Sequence, residues 1–375
     1  MILCVGCGGV GKTTVCAALG LAAARQGRRA LCLTVDPARR LAQSLGLDPL
    51  GTEEQRVASE LLVAAGLAVP GSLTLMMVDA KRTFDGLVTA LARTPDARQR
   101  ILENALYRHA STALAGTQEY AAMEKLHAVK DDPRYDLIVL DTPPTAHALD
   151  FLDAPQRLVD AIDSPTVRWF VQALGSSRRL SLGALARSAA MVLRGIGRIT
   201  GRGLLQQVAA FITDVNDLFG SWRERADELA RAMRGPDVAY VLVTTPDPLC
   251  VREVLFFARR LQEQGMRPGA YVVNRVHELG GEPASADEIS RAIAARDLRL
   301  APGAIPAIAE AARQEHRLAQ LDRLHLVALE EAFGEDAGAA PDPLLVHVPE
   351  FPRDIHDLGR LVWVADVLAG QPRCC

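Results

Sequence analysis

A glycine-rich loop near the amino terminus constrains this chain more than any other feature. Residues 6–13 read Gly-Cys-Gly-Gly-Val-Gly-Lys-Thr and match the pattern G-x-x-x-x-G-K-[ST]. The loop follows an apolar run at residues 2–5 and precedes a helical pattern in Val15, Ala18 and Leu19. In that setting, backbone N–H groups and the positive end of the helix are predicted to hold phosphate groups.

The residue types of the loop indicate that it binds a nucleoside triphosphate together with a divalent cation. Lys12 is predicted to reach the β- and γ-phosphates, Thr13 to offer its hydroxyl to Mg²⁺, and Thr14 to contact the α-phosphate. The predicted nucleotide-binding residues of the loop are Gly8, Gly9, Val10, Gly11, Lys12, Thr13 and Thr14.

Short apolar runs recur along the chain and are typical of buried parallel strands. They lie at residues 2–5, 30–35, 73–78, 137–140, 240–243, 271–273 and 344–348. Helical patterns separate them, so the sequence predicts an α/β fold with a doubly wound, mostly parallel sheet of the P-loop NTPase type. A length of 375 residues permits one such sheet.

The short apolar runs typical of strands are missing from residues 83–133 and 149–235, and the patterns there predict helices. We therefore expect residues 1–148 and 236–375 to form the ATPase domain, with residues 149–235, together with 83–133, as an inserted helical subdomain. An apolar seam runs through 204–218 at helical spacing and includes Phe211 and Val215. The pattern leaves open whether this seam lines a groove or belongs to a closed core.

Two carboxylates follow predicted strands. Asp141 ends the run at 137–140, where a Walker B aspartate would hold the metal directly or through water. Asp36 ends the run at 30–35 and is a candidate to orient or deprotonate the attacking water, with a helix cap as the alternative. Lys12, Asp36 and Asp141 are thus the predicted catalytic residues, and Thr13 and Asp141 the predicted metal ligands.

Composition narrows the class of partner and the compartment. A net charge of -3 gives no sign of a nucleic-acid-binding surface. The residues Met-Ile-Leu-Cys-Val at 1–5 show no basic targeting pattern, so we expect no targeting segment, and no apolar run reaches the ~18 residues that span a membrane. The seven cysteines lack the paired spacing of a disulfide framework. We expect a cytoplasmic protein, with peripheral attachment to a membrane left open.

Several motifs in order along the chain carry a family resemblance. They are the loop at 6–14, Asp36-Pro37-Ala38, Asp-Thr-Pro-Pro-Thr-Ala-His-Ala-Leu at 141–149, Val-Thr-Thr-Pro-Asp-Pro at 243–248, Val-Val-Asn-Arg at 272–275 and Val-Pro-Glu-Phe at 348–351. Together they resemble the arsenical pump-driving ATPases and the tail-anchored-protein targeting ATPases, of the deviant Walker A class. The resemblance implies an ATP-hydrolysing, Mg²⁺-dependent dimer, as a homodimer or a heterodimer with a paralogue.

The resemblance also assigns residues beyond the loop. It implies that Asn274 contacts adenine together with Pro349 and Phe351, that the segments after Asp36 and Asp141 are switches, and that His147 is the switch II histidine.

Two departures from the family pattern matter. The family has a signature lysine, which reaches the partner subunit's nucleotide, at the second loop position, where this chain has Cys7. Arg39 and Arg40 are the nearest candidates to replace that charge. No cysteine lies between Cys32 and Cys250, so we expect no metalloid site.

Three functions remain compatible with these features. The preferred one is a dimeric ATPase switch whose nucleotide state moves a helical layer that binds a client, such as a hydrophobic helix of a membrane protein. The second is an energising subunit of a membrane anion transporter. The third is a nucleotide-gated binding module with little hydrolysis, favoured by Cys7 and opposed by Asp36 and Asp141.

Overall fold

A single sheet organises the molecule. The computed structural model describes residues 1–35, 53–105, 107–108, 111, 117–142, 153, 157, 160, 218, 221–301, 303–336 and 343–370. Its strands are β1 (Ile2–Gly6), β2 (Arg29–Thr34), β3 (Gln55–Arg56), β4 (Ser72–Met77), β5 (Leu137–Asp141), β6 (Ala239–Thr244), β7 (Pro268–Val276) and β8 (Leu344–Pro349).

The strand order is β3-β4-β2-β5-β1-β6-β7-β8. Every neighbouring pair is parallel except β3 and β4, which are antiparallel. The predicted doubly wound, mostly parallel sheet is therefore confirmed, and all seven apolar runs are strands. The short edge strand β3 was not predicted, because Gln55 and Arg56 are polar and partly exposed and give no apolar run.

Helices cover both faces of the sheet. Their bounds are α1 (Lys12–Arg25), α2 (Ser59–Ala64), α3 (Ala80–Leu91), α4 (Pro95–Glu103), α5 (Thr117–Val129), α6 (Pro248–Glu263), α7 (Ala286–Ala295), α8 (Ala304–Asp336) and α9 (Leu358–Leu368). Residues 221–233 are also helical. One core cluster holds buried side chains of α1, α2 and α9, and the other holds those of α3, α5, α6, α8 and residues 221–233.

The region predicted as a helical layer is described in part. Residues 83–133 contain the helices α4 and α5 and most of α3, as expected from the absence of strand-like apolar runs there. Of residues 149–235, most lie outside the described residues, including Phe211 and Val215. Residues 221–233 pack into the same core cluster as α3, α5 and the sheet, through Ala226, Leu229 and Met233. The division into two domains stays a prediction.

The centre of the sheet is where the chain order reverses. β1 lies between β5 and β6, and the chain winds outward from it in both directions. Parallel strands end at one edge, so the loops after β1, β5 and β6 converge there, and ligands of open α/β sheets bind at this reversal point. No helix among the described residues is long and apolar enough to cross a bilayer.

Candidate nucleotide-binding site

Two glycines allow the phosphate loop to pass close to neighbouring strands. Gly6 lies beside Val243 of β6, and a Cβ on Gly6 would be 2.0 Å from the Val243 carbonyl oxygen. Gly11 has φ 92°, and its Cβ would be 2.3 Å from Nδ2 of Asn274. An L side chain at Gly11 would also be strained by its backbone conformation. The loop geometry therefore requires glycine at both positions.

Lys12 is the first residue of α1 and folds back over the loop. Its Nζ donates hydrogen bonds to the carbonyl oxygens of Gly6 at 2.8 Å and Cys7 at 2.7 Å. Only 7% of the residue is exposed. No acidic side chain lies in the first turn of α1, so nothing there competes for the positive end of the helix. The lysine ammonium is thus held at the N-terminus of α1, where backbone N–H groups and the helix dipole favour binding of an anion.

Asp141 joins three elements at the end of the sheet. Thr13 of α1 donates its hydroxyl to Oδ2 of Asp141 at 2.7 Å, and Thr34 of β2 donates to the same oxygen at 3.1 Å. The register places Asp141 of β5 opposite Cys4 on one side and Thr34 on the other. Asp141 is 2% exposed, so the carboxylate is fixed in position beside the start of α1.

The residues present fit Mg²⁺ bound together with a nucleotide. A hydroxyl and a carboxylate, on Thr13 and Asp141, are oxygen donors of the kind that Mg²⁺ prefers. No group of three or more histidine, cysteine or acidic side chains that could hold a metal occurs among the described residues. Two protein oxygens, completed by phosphate oxygens and water, form the usual coordination of Mg²⁺ at phosphate-binding sites.

A cavity of about 270 Å³ adjoins the loop on the side away from Asp141. Gly11 and Thr14 line it from the loop, and Asn274, Pro349 and Phe351 line it from the ends of β7 and β8. The three residues that the family resemblance links to adenine therefore lie beside the phosphate loop.

Asn274 connects this cavity to the loop directly. Its Nδ2 donates a hydrogen bond to the Val10 carbonyl oxygen at 2.8 Å, across 264 positions of sequence. Arg275, the next residue, has φ 59° in the left-handed region, and its side chain also lines the cavity. Behind the cavity, the ring of Phe351 packs on that of Trp363 with centroids 5.6 Å apart. The wall thus combines amide, guanidinium and aromatic groups.

Several predicted residues lie outside the described part of the chain. They are Asp36, Arg39, Arg40 and His147. The structure describes the chain up to the buried Val35, which follows β2 and directly precedes Asp36. Gly8, Gly9, Val10, Gly11, Lys12, Thr13 and Thr14 are all in the loop or the first turn of α1.

Sequence reasoning missed two residues of the site, Thr34 and Arg275. Thr34 interrupts an apolar run, and only the pairing of β2 with β5 places its hydroxyl on Asp141. Arg275 directly follows Asn274, but its left-handed backbone conformation carries no sequence signal in a non-glycine residue.

Cys7 points away from solvent, into the fold. It is 5% exposed and belongs to the core cluster that contains Val10 and Val243. Burial raises the pKa of the Cys7 thiol, and the neighbouring Cys250 and Glu253 side chains raise it further. The thiol is therefore neutral at physiological pH and supplies no charge at the loop.

A larger cavity, of about 750 Å³, lies between α3, α5 and residue Arg225. Its wall includes Glu124, a buried carboxylate that pairs with Arg225 through Oε1 and whose Oε2 has no hydrogen-bond partner. No residue of the phosphate loop lines it. The smaller cavity is the one that adjoins Gly11 and Thr14.

Similarity to known proteins identifies the family of this chain. The family model described as "Anion-transporting ATPase" matches residues 1–285. The chain belongs to the anion-transporting ATPase family. It is therefore an ATP-hydrolysing enzyme, as the loop and the strand-end carboxylate predict. The match covers the loop, Asp141 and Asn274 and stops before Pro349 and Phe351.

Three similar proteins differ in how much of each chain is matched. SCO2128 of Streptomyces coelicolor is 29% identical over 309 residues, covering 77% of this chain and 74% of that protein. The arsenical pump-driving ATPase of Escherichia coli is 30% identical over 165 residues, covering 42% of this chain and 26% of its own length. The ATPase GET3 of Malassezia globosa is 26% identical over 161 residues, which cover 43% of this chain and 44% of that protein. The chain thus matches less than half of the length of each of these two ATPases.

Proposed function

We propose that this protein is a Mg²⁺-dependent, dimeric ATPase switch that couples its nucleotide state to movement of a helical layer. This proposal rests on the hydrogen bond from Thr13 to Asp141, which lies at the edge of the sheet where the phosphate loop follows β1. This contact places a hydroxyl and a carboxylate beside Lys12. Binding of a nucleoside triphosphate with Mg²⁺ requires this arrangement.

ATP fits the site in one direction. Its phosphates lie on the loop N–H groups and the start of α1, and its base enters the cavity lined by Asn274, Pro349 and Phe351. Thr14 lies between these two parts and contacts the α-phosphate. Lys12 exchanges the carbonyl oxygens of Gly6 and Cys7 for oxygens of the β- and γ-phosphates. That exchange replaces two neutral acceptors by charged ones, which form stronger hydrogen bonds.

Hydrolysis needs a group that positions the attacking water. When bound, Mg²⁺ neutralises charge on the β- and γ-phosphates, and Thr13 and Asp141 hold it. Thr34 keeps the Asp141 carboxylate oriented through its hydrogen bond. Asp36, which follows β2 in the sequence, is the residue that we assign to orient or deprotonate the water. We assign Lys12, Asp36 and Asp141 as the catalytic residues on this basis.

The helical layer is the part that responds to the nucleotide. The chain continues from β2 into the segment after Asp36 and from β5 into the segment after Asp141, and the family resemblance identifies these two segments as switches. Contacts with the γ-phosphate hold such segments, and hydrolysis releases them. The partner then is a second copy or a paralogue, and the client is a hydrophobic helix of a membrane protein or a membrane transporter.

One observation favours a second candidate function, a nucleotide-gated binding module with little hydrolysis. The buried, neutral Cys7 occupies the loop position at which the family resemblance implies a lysine that acts across the dimer. Loss of such a cation removes about 10³- to 10⁵-fold in rate where an arginine finger is the model. A slow enzyme would spend most of its cycle in the ATP-bound state.

Steady-state ATP hydrolysis, measured against protein concentration, tests the proposal. We expect specific activity that rises with concentration and needs Mg²⁺, because the complete site forms between two subunits. Specific activity that stays constant with concentration would refute the dimeric model. Tight ATP binding without turnover would instead select the nucleotide-gated binding module.

Two variants test the assigned residues. Lys12→Ala should abolish nucleotide binding, and ATP affinity equal to that of the unmodified chain would exclude the loop assignment. Asp36→Asn should bind ATP and turn over at least ~10²-fold more slowly, as expected for a positioned base. Unchanged turnover in Asp36→Asn would remove that carboxylate from the mechanism.

A further inference from the structure

The thiol of Cys7 has a second thiol beside it. Cys7 follows β1, and Cys250 lies in the first turn of α6, which follows the neighbouring strand β6. The Cys7 side chain interacts with those of Cys250 and Glu253, and Cys250 packs against the core cluster that contains Cys7. Two cysteines 243 positions apart in sequence therefore meet at the phosphate loop.

These two thiols differ in their access to solvent. Of the five cysteines that the structure describes, four are buried, and Cys250 is the one with intermediate exposure. Its backbone N–H is held by the side chain of the helix cap Asp247 at 3.2 Å, which fixes the first turn of α6. Cys250 can therefore meet a small oxidant while it lies against a shielded thiol.

We propose that Cys7 and Cys250 form a reversible disulfide that locks the phosphate loop against α6, with a small-molecule disulfide such as glutathione disulfide as the oxidant. Formation of this bond makes the pair a modification site. Its effect on ATP rests on the phosphate-loop function proposed above, whereas formation of the bond does not.

The chemistry balances as thiol–disulfide exchange. The Cys250 thiolate attacks one sulfur of glutathione disulfide, forms a mixed disulfide and releases the first glutathione. Cys7 then loses its proton to a base, for which the neighbouring Glu253 carboxylate is placed, and its sulfur attacks that of Cys250. The second glutathione leaves as the bond forms. Two protein thiols are oxidised and one glutathione disulfide is reduced to two glutathiones.

The order of attack follows from the environments of the two sulfurs. Burial raises the pKa of the Cys7 thiol, so Cys7 is a poor nucleophile toward molecules in solution. Once Cys250 carries glutathione, however, the second step is intramolecular, and proximity compensates for weak nucleophilicity. The buried group of Cys4, Cys16 and Cys32 lacks this access, because all three are 0% exposed.

The disulfide would change the nucleotide site through the backbone of Cys7. Non-bonded heavy atoms pack at about 3.5–4 Å, whereas a disulfide holds its sulfurs at about 2.05 Å. Bond formation therefore draws the two sulfurs together by roughly 1.5 Å, which pulls on the loop at Cys7 and on the first turn of α6. The carbonyl oxygen of Cys7 is one of the two that hold Lys12, and its neighbours supply the phosphate-binding N–H groups. A misplacement of about 1 Å costs up to ~10²-fold where geometry is tuned.

Oxidation of the full-length chain with glutathione disulfide tests this proposal. Non-reducing peptide mapping by mass spectrometry should find the peptide of Cys7 joined to that of Cys250. Binding of a fluorescent ATP analogue should weaken at least ~10-fold in the oxidised protein and recover with dithiothreitol. Cys250→Ser should bind the analogue normally when reduced and should keep its affinity after the same treatment.

Three results would overturn the proposal. The first is a map in which Cys7 stays reduced or pairs with another cysteine. The second is a complete Cys7 to Cys250 bond that leaves affinity within twofold. The third is an equal loss of affinity in oxidised Cys250→Ser, since the cause would then lie elsewhere. If the reduced chain bound no nucleotide, the proposed function would fail, and the peptide map would still decide whether the disulfide forms.

Discussion

Substitution of Gly11 by alanine tests the contact between the phosphate loop and β7. Gly11 has φ 92°, and a Cβ there would lie 2.3 Å from Nδ2 of Asn274. Gly9, two residues earlier, has φ 81°, and its Cβ would meet nothing within 4 Å. Gly9→Ala is therefore a matched control: it has the free-energy cost of a left-handed backbone conformation but no steric clash.

The structure sets the difference expected between these two variants. A left-handed backbone costs a non-glycine residue about 1–2 kcal/mol, and both variants pay that amount. Gly11→Ala must also displace the Asn274 amide, which loses its 2.8 Å hydrogen bond to the Val10 carbonyl oxygen. A neutral hydrogen bond contributes about 1 kcal/mol net. We expect Gly11→Ala to lower the free energy of unfolding by about 1 kcal/mol more than Gly9→Ala.

Urea denaturation of both variants measures this difference, and a third variant assigns it. In the Gly11→Ala background, Asn274→Ala removes the group that the new methyl displaces. Its cost there should be about 1 kcal/mol smaller than in the unmodified chain, which is a coupling that a double-mutant cycle detects. Equal destabilisation by Gly9→Ala and Gly11→Ala, with no coupling to Asn274, would refute the close approach of loop and strand.

Three further predictions follow from buried polar groups. Arg225→Ala should lower the free energy of unfolding by about 3 kcal/mol, because the partner carboxylate of Glu124 is only 4% exposed; a loss below ~1 kcal/mol in urea would contradict this. Burial, followed by the nearby Arg225 and Lys130, lowers the pKa of His127. Folding therefore disfavours its protonation, so stability should fall as pH drops below the unfolded value of about 6.5, and His127→Gln should flatten that dependence in thermal unfolding. Thr34→Val should slow ATP turnover without abolishing ATP binding, since it removes the 3.1 Å hydrogen bond that orients Asp141; unchanged turnover would leave that hydroxyl without a role.

Much of the architecture could be read from local sequence patterns. The central parallel strands β1, β2, β5 and β6 are buried on both faces, so each appears as an apolar run whatever its neighbours are. The loop motif needs glycines and a lysine at fixed spacing within eight residues, which makes it visible without tertiary information. The edge strand β3 escaped prediction because one neighbour and partial exposure leave no apolar signature.

The position of the Asp141 carboxylate could be predicted from the sequence, but its surroundings could not. Asp141 could be predicted because a buried strand delivers it to the edge where ligands bind. That Thr34 donates to it depends on the pairing of β2 with β5, two strands more than 100 positions apart. Strand order and register come from packing of the whole sheet, so a local pattern cannot specify them.

By itself, the sequence determined the phosphate loop, the parallel strands and the carboxylate at the end of β5, because each depends on residues close together along the chain. Tertiary structure alone decided which distant groups meet at the loop. Asn274 contacts Val10, and Cys250 lies beside Cys7, because β6 and β7 follow β1 in the sheet order. Neighbouring strands lie about 4.8 Å apart, so their trailing residues come into contact whatever their distance in sequence.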